Sequence, residues 1–373
     1  MVNHQSLRAL GLMSGTSLDG IDAAIIASDA TSVMEIGATA SFPYDEKFRD
    51  SLRGCLGKAL NKPGVADVAT ELTRRHVDAV RQLLTQAGLQ AGDIDVIGFH
   101  GHTTLHRPQD RLTVQIGDPA LLAQETGISV VGDFRSNDVS QGGEGAPFAP
   151  LFHLALSQSL EKPVAVLNIG GVANVTWIAD GGSKEEPNIL AFDTGPGNAL
   201  IDDWVKQTIG RPMDEGGRLA RGGRVDEDAL ARLLDNAYFG RTPPKSLDRE
   251  DFPDALQVVS ALSPQDGAAT LSAFSVGAIV RGVEHLAQPP KRWLVTGGGR
   301  HNATLMAMLN EKLGVAVDPI EAIGANGDAL EAQAFAFLAV RSRYGLPLSL
   351  PTTTGAPRPL SGGVLFEPVN IGP

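Results

Sequence analysis

The chain has 373 residues, of which 42% are hydrophobic and 20% are charged. This length and composition predict a globular protein of two domains. The formal net charge of −12 argues against nucleic acid or an anionic membrane as a partner, since both require basic patches. A single cysteine, Cys55, excludes an internal disulfide framework and a cysteine-rich metal site. No apolar run reaches the ~20 residues that cross a membrane, and residues 1–10 lack a signal-peptide pattern, so we expect a cytoplasmic protein.

The first candidate element is a hairpin in the stretch LGLMSGTSLDGIDAAII at 10–26. Its apolar runs predict two strands, and the turn SGTSLDG between them is longer and more polar than a tight hairpin needs. Backbone N–H groups and hydroxyls in such a turn can bind phosphate, and the Asp19 carboxylate can hold a hydrated cation. The turn is not a P-loop, because no Gly-Lys-Ser/Thr follows. A solvated turn without a ligand is the alternative.

Apolar strands and helical patterns then alternate, which is typical of an α/β protein. The sequence predicts a helix at 66–87, a strand at 94–101 and a strand ending near Val131. Residues 135–150 are rich in Gly and Pro and show almost no regular pattern. We expect an interdomain crossing and active-site loop there.

The second half repeats the opening pattern. VAVLNIGGVANVTWI at 164–178 is again strand, Gly-containing turn and strand, which suggests two related domains. A strand, Gly-Pro turn and helix follow from Leu190, and the charged segment 214–254 predicts an excursion on the surface. A helix at about 268–286, a strand, turn and helix from Arg292, and a helix from Gly327 complete the predicted elements.

Three Gly-rich turns follow apolar strands, at Ser14, Asn168 and Thr296. Two facing hairpin turns could clamp a polyphosphate, and the GGG turn could let a flat ring approach the backbone. Three unrelated turns are the alternative. Asp193, at the end of an apolar strand, is either a rigidly held general base or the cap of the next helix.

His100, His102 and His106 lie close together in GFHGHTTLHRP. Because alternate residues of a strand share a face, His100 and His102 could suggest a metal site. No nearby carboxylate or cysteine completes one, so hydrogen bonding to a polar substrate or simple solvation is the favoured interpretation. Arg135 is either a partner for a substrate carboxylate or a surface residue.

Taken together, these motifs resemble the anhydro-N-acetylmuramic acid kinase family, a branch of the acetate and sugar kinase, Hsp70 and actin superfamily. The motifs match the family in order: MSGTSLDGID, GFHGHT, GDFR, GGEGAPFAP, NIGGVANVT, FDTGPGN, TGGGRHN, GANGDALEA and TTGAPRPLSGG. The match runs from about Leu10 to Gly363. One departure is His102, where many relatives carry Gln.

The resemblance implies an α/β, two-domain, actin-like ATPase (ribonuclease H-like) fold with the active site in the interdomain cleft. It implies one domain at 1–140 completed by the tail 347–373, and a second at 141–346 that contains the excursion 214–254. It also suggests a homodimer acting on a small-molecule substrate.

The activity that the resemblance implies is phosphorylation of the 6-oxygen of 1,6-anhydro-N-acetylmuramic acid by ATP and Mg²⁺. Hydrolysis of the anhydro bridge is coupled to it, and the product, N-acetylmuramic acid 6-phosphate, is an intermediate of peptidoglycan recycling. Asp193 would be the catalytic base, with Glu331 as a second acidic group.

The remaining site residues also follow from the resemblance. The nucleotide and its phosphates would be bound by Ser14, Gly15, Thr16, Ser17, Leu18, Asp19, Gly20, Ile21, Asp22, Gly170, Gly171, Asn174, Gly297, Gly298, Gly299 and Asn326. Asp19 would hold the metal. The sugar would be bound by His100, Thr103, Arg135 and Glu144.

Two other functions stay open. A superfamily kinase for a simple sugar or carboxylate would phosphorylate a hydroxyl without consuming water. An actin-like or Hsp70-like module would bind nucleotide as a switch and have no small substrate. The product, and turnover of ATP only when the anhydro sugar is added, would separate the three.

Overall fold

A computed structural model of the chain describes residues 4–15, 17–183, 186–247 and 251–369. Thr16, expected at the nucleotide, lies outside the described residues.

The strands and helices of the described residues follow in chain order. The strands are β1 Leu7–Ser14, β2 Gly20–Ser28, β3 Val33–Pro43, β4 Val96–Arg107, β5 Leu112–Ile116, β6 Val130–Gly132, β7 Val164–Ile169, β8 Val172–Gly182, β9 Pro187–Pro196, β10 Arg292–Thr296, β11 Ala316–Pro319 and β12 Val364–Phe366. The helices are α1 Glu46–Arg53, α2 Val65–Ala87, α3 Pro119–Thr126, α4 Ser136–Ser140, α5 Pro150–Leu156, α6 Ala199–Ile209, α7 Arg218–Arg221, α8 Glu227–Leu234, α9 Ala255–Val258, α10 Pro264–Gly282, α11 Ala303–Leu313, α12 Leu330–Arg343 and α13 Pro351–Thr354.

The chain divides into two compact units. The first contains Met1–Gln158 and Ala329–Pro373, and the second contains Ser159–Asp328. Residues 141–158 and 329–346, which the sequence placed in the second domain, therefore group with the first unit. For α12 the reason is packing, since this helix contacts β1, β2 and β4 of the first sheet.

The first unit is built on a sheet with the strand order β12-β6-β4-β1-β2-β3, with β5 paired to β4. β1, β2 and β3 are antiparallel neighbours, whereas β1, β4 and β6 run parallel. The helix α12 lies directly on the strands, because a Cβ at Gly11 would come 1.7 Å from the carbonyl oxygen of Ala332, and one at Gly98 would come 2.1 Å from that of Phe335. This close approach fixes the start of α12, and with it Glu331, against the sheet.

The second unit repeats this topology with the order β11-β10-β7-β8-β9. β7, β8 and β9 are antiparallel, and β7, β10 and β11 are parallel. Trp293, Phe192 and Phe274 are almost fully buried in its core. Two ribonuclease H-like sheets in one chain confirm the predicted α/β, actin-like fold class.

Most predicted elements agree with the structure. The helix predicted at 66–87 is α2, which ends at Gly88 in the left-handed conformation at φ 68°, where a residue without a Cβ is favoured. The helix predicted from Gly327 begins only at Leu330. Residues 135–150 contain the short helix α4, which their Gly-rich composition had hidden.

The structure corrects the prediction for the segment 214–254. It was expected on the surface, but Ala220, Leu233, Tyr238, Phe239 and Phe252 belong to the buried core of the second unit. These apolar residues are spaced among charged residues, glycines and prolines, so the average composition conceals them. Among the described residues, no helix is long and apolar enough to cross a membrane.

Candidate functional site

A row of polar residues crosses the second sheet near one end. Thr296 on β10 is paired with Asn168 on β7, Asn168 with Asn174 on β8, and Asn174 with Asp193 on β9. Because directly paired residues of neighbouring strands point to the same face, this register aligns four polar side chains on one side of the sheet. The sequence singled out Asn174 and Asp193, and the structure adds Asn168 and Thr296.

Asp193 is held by the segment that follows it in the chain. The Leu247 N–H donates to Oδ2 of Asp193 at 2.8 Å, and the N–H of Asp193 donates to the Lys245 carbonyl at 3.0 Å. The Tyr238 hydroxyl donates to the Asp193 carbonyl at 2.5 Å. The following helix, α6, takes Asn198 as its N-cap. Asp193 is therefore not the cap of that helix, and its carboxylate is oriented instead by a backbone donor.

Sequence reasoning missed Tyr238, Lys245 and Leu247 as parts of this site. A main-chain donor such as the Leu247 N–H carries no signature in its side chain. Lys245 is only 5% exposed, yet in the sequence it belongs to a charged, Pro-containing stretch that resembles a surface loop. Burial, with Arg241 nearby, lowers the pKa of Lys245 to about 8.

The glycines of the three turns are of two kinds. Added Cβ atoms at Gly297 and Gly299 would come 2.3 Å from Oδ1 of Asn168 and 2.4 Å from Ile169 respectively, so these two glycines are required by packing. Among described residues other than the chain neighbours, no atom lies closer than 3.6 Å to a Cβ at Gly170 or Gly171, or closer than 3.8 Å to one at Gly298.

Gly15 in the first unit is like Gly170, Gly171 and Gly298, because a Cβ there would lie 3.6 Å from Oγ of Ser17 and no closer to any other described residue beyond its chain neighbours. Close internal packing therefore does not account for the open glycines. A ligand such as a phosphate chain can approach the main chain closely at glycines that have open space around them.

The GGG turn is fastened by a buried arginine. Arg300 donates from Nε to Glu321 at 2.9 Å and from Nη1 to the Gly297 carbonyl at 3.0 Å, and its Nη2 lies 2.6 Å from Asp328. The predicted nucleotide residue Asn326 accepts the Asp328 N–H at 3.0 Å. One guanidinium thus joins the GGG turn to the GANGD loop.

Several side chains of the first hairpin turn are buried, so a ligand would meet mainly its main chain. Leu18, at φ 61°, and Ile21 are buried in the core of the first unit, so their side chains are not available to a nucleotide. The Ser14 hydroxyl is buried as well, accepting from the Tyr44 hydroxyl at 2.8 Å and lying 3.1 Å from Nδ1 of His102. Burial raises the pKa of Tyr44, which keeps it a donor.

The other described residues of this stretch differ in exposure. Gly20 begins β2, where a Cβ would come 2.3 Å from the Phe42 carbonyl, so packing requires this glycine. Ser17 is exposed, and Asp22 accepts the Ser41 hydroxyl at 2.5 Å. Asp19 keeps 79% of its side chain exposed, with Arg49 4.0 Å away.

Asp19 is the predicted metal ligand. Mg²⁺ needs only one or two protein carboxylates, because phosphates and waters fill the remaining positions. An exposed carboxylate at a turn that is predicted to bind phosphate fits this requirement. Within the described ranges, no group of three or more His, Cys, Asp or Glu side chains could hold a metal ion.

A second cluster, in the first unit, joins Arg135, His100 and Glu331. Nε of Arg135 donates to Nε2 of His100 at 3.0 Å, and Nη1 donates to the Gly145 carbonyl at 2.5 Å. Since arginine can only donate, Nε2 of His100 accepts, and its Nδ1 donates to the Gly101 carbonyl at 2.9 Å. Burial, and secondly Arg135, hold the pKa of His100 well below its usual range.

The pKa of Glu331 shifts in the opposite direction from that of His100. The protein around its carboxyl raises its pKa by desolvation, against the attraction of Arg135 and with the help of Asp22. Burial likewise lowers the pKa of Arg135 to about 10, against Glu331 and Asp138. The structure therefore brings together three of the residues predicted from the sequence.

The other predicted sugar-binding residues are fixed by main-chain and side-chain contacts of the first unit. Thr103 accepts from Gln115 at 3.2 Å, and the Glu144 N–H donates to the Thr354 carbonyl at 2.7 Å. His106 donates from Nε2 to the Glu144 carbonyl at 2.9 Å. The contacts of His100 and His102 with protein groups favour hydrogen bonding over metal ligation.

This architecture, with two ribonuclease H-like sheets that each carry a glycine-containing hairpin, is that of the actin-like ATPases and phosphotransferases. A family model described as anhydro-N-acetylmuramic acid kinase matches residues 7–368. The chain therefore belongs to the anhydro-N-acetylmuramic acid kinase family, and it is an enzyme that transfers a phosphoryl group.

Curated relatives agree with this assignment. An anhydro-N-acetylmuramic acid kinase of Rhodospirillum rubrum is 54% identical over 368 residues, which cover 97% of this chain and 95% of the relative. One of Paramagnetospirillum magneticum is 52% identical, over 95% and 98% of the two chains. Among solved structures, (R)-2-hydroxyglutaryl-CoA dehydratase component A of Acidaminococcus fermentans is 14% identical at a TM-score of 0.46, over 90% and 99% of the chains. A likeness this distant indicates nothing about function.

Proposed function

We propose that the protein uses ATP to phosphorylate the 6-oxygen of 1,6-anhydro-N-acetylmuramic acid while water opens the anhydro ring. The products are N-acetylmuramic acid 6-phosphate and ADP, and the reaction serves peptidoglycan recycling. Membership of the family supports the substrate. The observation that carries the chemistry is the Asp193 carboxylate, which is held at the sheet edge by the Leu247 N–H.

The substrate explains why a base is needed. A bridging ether oxygen has no proton to lose, so it attacks phosphorus only as its bond to the anomeric carbon breaks. Asp193 takes a proton from a water that attacks this carbon from the opposite face, as the base of an inverting glycosidase does. The leaving oxygen takes the phosphoryl group, so no separate general acid is required.

The proposed nucleotide residues bind mainly through the backbone. The main chain of 14–22 and the open glycines Gly170, Gly171 and Gly298 hold the phosphates, while Gly297, Gly299 and Arg300 keep the GGG turn in shape. Asn174 lies beside Asp193 in the polar row, and Asn326 lies in the loop that Arg300 fastens. Mg²⁺, held by Asp19, would neutralise the developing charge on the phosphates.

The proposed sugar residues belong to the first unit. Two of the nitrogens of Arg135 already donate to His100 and Gly145, and the remaining N–H hydrogens on Nη1 and Nη2 serve a carboxylate such as that of the lactyl group. Thr103 and Glu144 supply further polar contacts. Glu331, with its raised pKa, is proposed as the second acidic group.

An isotope experiment tests the coupling. In ¹⁸O-labelled water, the label should appear at the anomeric carbon of the product and not in its phosphate, and the new anomer should be inverted relative to the bridge. ATP hydrolysis should require the anhydro sugar. Label in the phosphate, or a phosphorylated sugar that keeps its anhydro ring, would contradict the proposed reaction and favour a simple sugar kinase.

A further inference from the structure

Lys245 is a buried lysine in the second unit, next to the proposed base. Its Nζ donates to the carbonyls of Tyr238 at 3.1 Å and Phe239 at 3.2 Å, and it lies 3.2 Å from Nε2 of His285. The ammonium also lies over the Tyr238 ring, 4.6 Å from its centroid. With its pKa at about 8, the group is still protonated at neutral pH.

The contacts of Lys245 form a closed circuit with Asp193. Tyr238 donates its hydroxyl to the Asp193 carbonyl and accepts from the Lys245 ammonium at its own carbonyl. The Lys245 carbonyl in turn accepts the Asp193 N–H. Two residues further on, the Leu247 N–H reaches Oδ2 of Asp193. The side chain of Lys245 thus anchors the short segment that presents the donor to the carboxylate.

Burying an ammonium is costly unless its hydrogens are bonded, and here two carbonyls and the π face of Tyr238 satisfy it. An apolar side chain would fill the same space without that cost, but it could not tie 245–247 to the Tyr238 and Phe239 carbonyls. A role in holding the segment accounts for the charge, whereas simple core packing does not.

We propose that Lys245 is a positioning residue for this reaction: its ammonium anchors 245–247 so that the Leu247 N–H stays on Asp193 and aims the carboxylate. This inference rests on the proposed role of Asp193 as the base. It predicts that loss of the anchor impairs turnover more than binding, because the contacts of Lys245 support the segment that holds the proposed base.

Lys245→Met tests the inference. We expect kcat to fall roughly 10–100-fold, as for lost supporting-shell contacts, while KM for ATP and for the anhydro sugar stays within about threefold. Hydrogen–deuterium exchange at the Leu247 amide should become faster. Lys245→Gln, which keeps an N–H donor for the two carbonyls, should lose less kcat. Lys206→Met, at an exposed lysine of the same unit, should change none of these.

Two comparisons separate this role from a merely structural one. Val259→Ala, in the same core, supplies a variant of lowered Tm with the Asp193 contacts intact. An equal loss of kcat in Lys245→Met and Val259→Ala at equal loss of Tm, or unchanged exchange at Leu247, would overturn the inference. If Lys245→Met does not fold, Lys245→Gln is judged by the same two measurements.

Asp193→Asn separates failure of this inference from failure of the proposed function. An active Asp193→Asn variant would overturn the assignment of the base itself. An inactive Asp193→Asn variant beside a fully active Lys245→Met variant would overturn only the role of Lys245.

Discussion

The hairpin of the second unit turns at Gly170 and Gly171, whereas the corresponding hairpin of the first unit needs the longer, polar turn at 15–19. Both hairpins belong to sheets with the same order of antiparallel and parallel strands. The tight turn leaves bare backbone, and the long turn adds the exposed carboxylate of Asp19. One framework thus presents two different surfaces to a ligand.

The polar residues near these turns differ in the same way. In the first unit, the Ser14 hydroxyl contacts the Tyr44 hydroxyl and the His102 ring, and the Asp22 carboxylate accepts a hydrogen bond from Ser41. In the second unit, a row of four polar residues ends at Asp193, which the inserted segment 214–254 holds through Leu247. In the second unit the strand therefore carries the proposed base, and the segment added to the sheet orients it.

The largest expected effect comes from a substitution of Asp193 in the second unit. In Asp193→Asn the amide keeps the shape of the carboxylate but cannot take a proton from water. General-base contributions are ~10²–10⁴-fold, and we expect a loss of kcat at the upper end, because water attack and phosphoryl transfer are coupled. Steady-state kinetics, with binding of ATP and sugar measured separately by calorimetry, check this expectation. Asp180→Asn, an exposed position on β8, is the control. Retained turnover or lost binding would contradict the proposed role.

The next effect concerns binding by the first unit. Arg135→Ala should reduce kcat/KM for the sugar by about 10–100-fold, since a hydrogen bond between charged groups contributes about 1.5–3 kcal/mol. The reduction should be confined to substrates that carry the lactyl carboxylate. Kinetics with 1,6-anhydro sugars that have and lack the lactyl ether measure the difference. An equal loss for both sugars would show that Arg135 acts only by holding His100 and Gly145.

The sequence predicts the framework better than the contacts made across it. The periodicity of 66–87 and the apolar runs of both hairpins indicate the helix and the strands directly, because these elements bury one face of a regular pattern. Lys245 and Leu247 could not be predicted, since their contribution depends on a long segment folding back against β9. Glu331 lay in a predicted helix, but its raised pKa results from desolvation by the surrounding protein, which no local pattern encodes.

The smallest expected effect comes from a substitution of Glu331 and concerns how this carboxylate differs from Asp193. Asp193 accepts a backbone N–H in the second unit, whereas Glu331 in the first unit has its pKa raised, because desolvation by the surrounding protein disfavours its charged form more than Arg135 favours it. Below this raised pKa, Glu331 carries its proton, and glutamine closely imitates a neutral carboxylic acid. Above it, wild-type Glu331 is ionised and glutamine is a poor substitute.

Glu331→Gln should therefore cost least kcat/KM at the acid end of a series from about pH 5 to about pH 9, and the loss should grow as the pH rises through the raised pKa, remaining well below the ~10²–10⁴-fold typical of a general base. The ratio of wild-type to variant kcat/KM across this range measures it. Glu35→Gln, an exposed glutamate of the same unit, should give a flat ratio near one. A large loss that is independent of pH would mean that Glu331 acts as an ionised group throughout, and that desolvation does not distinguish it from Asp193.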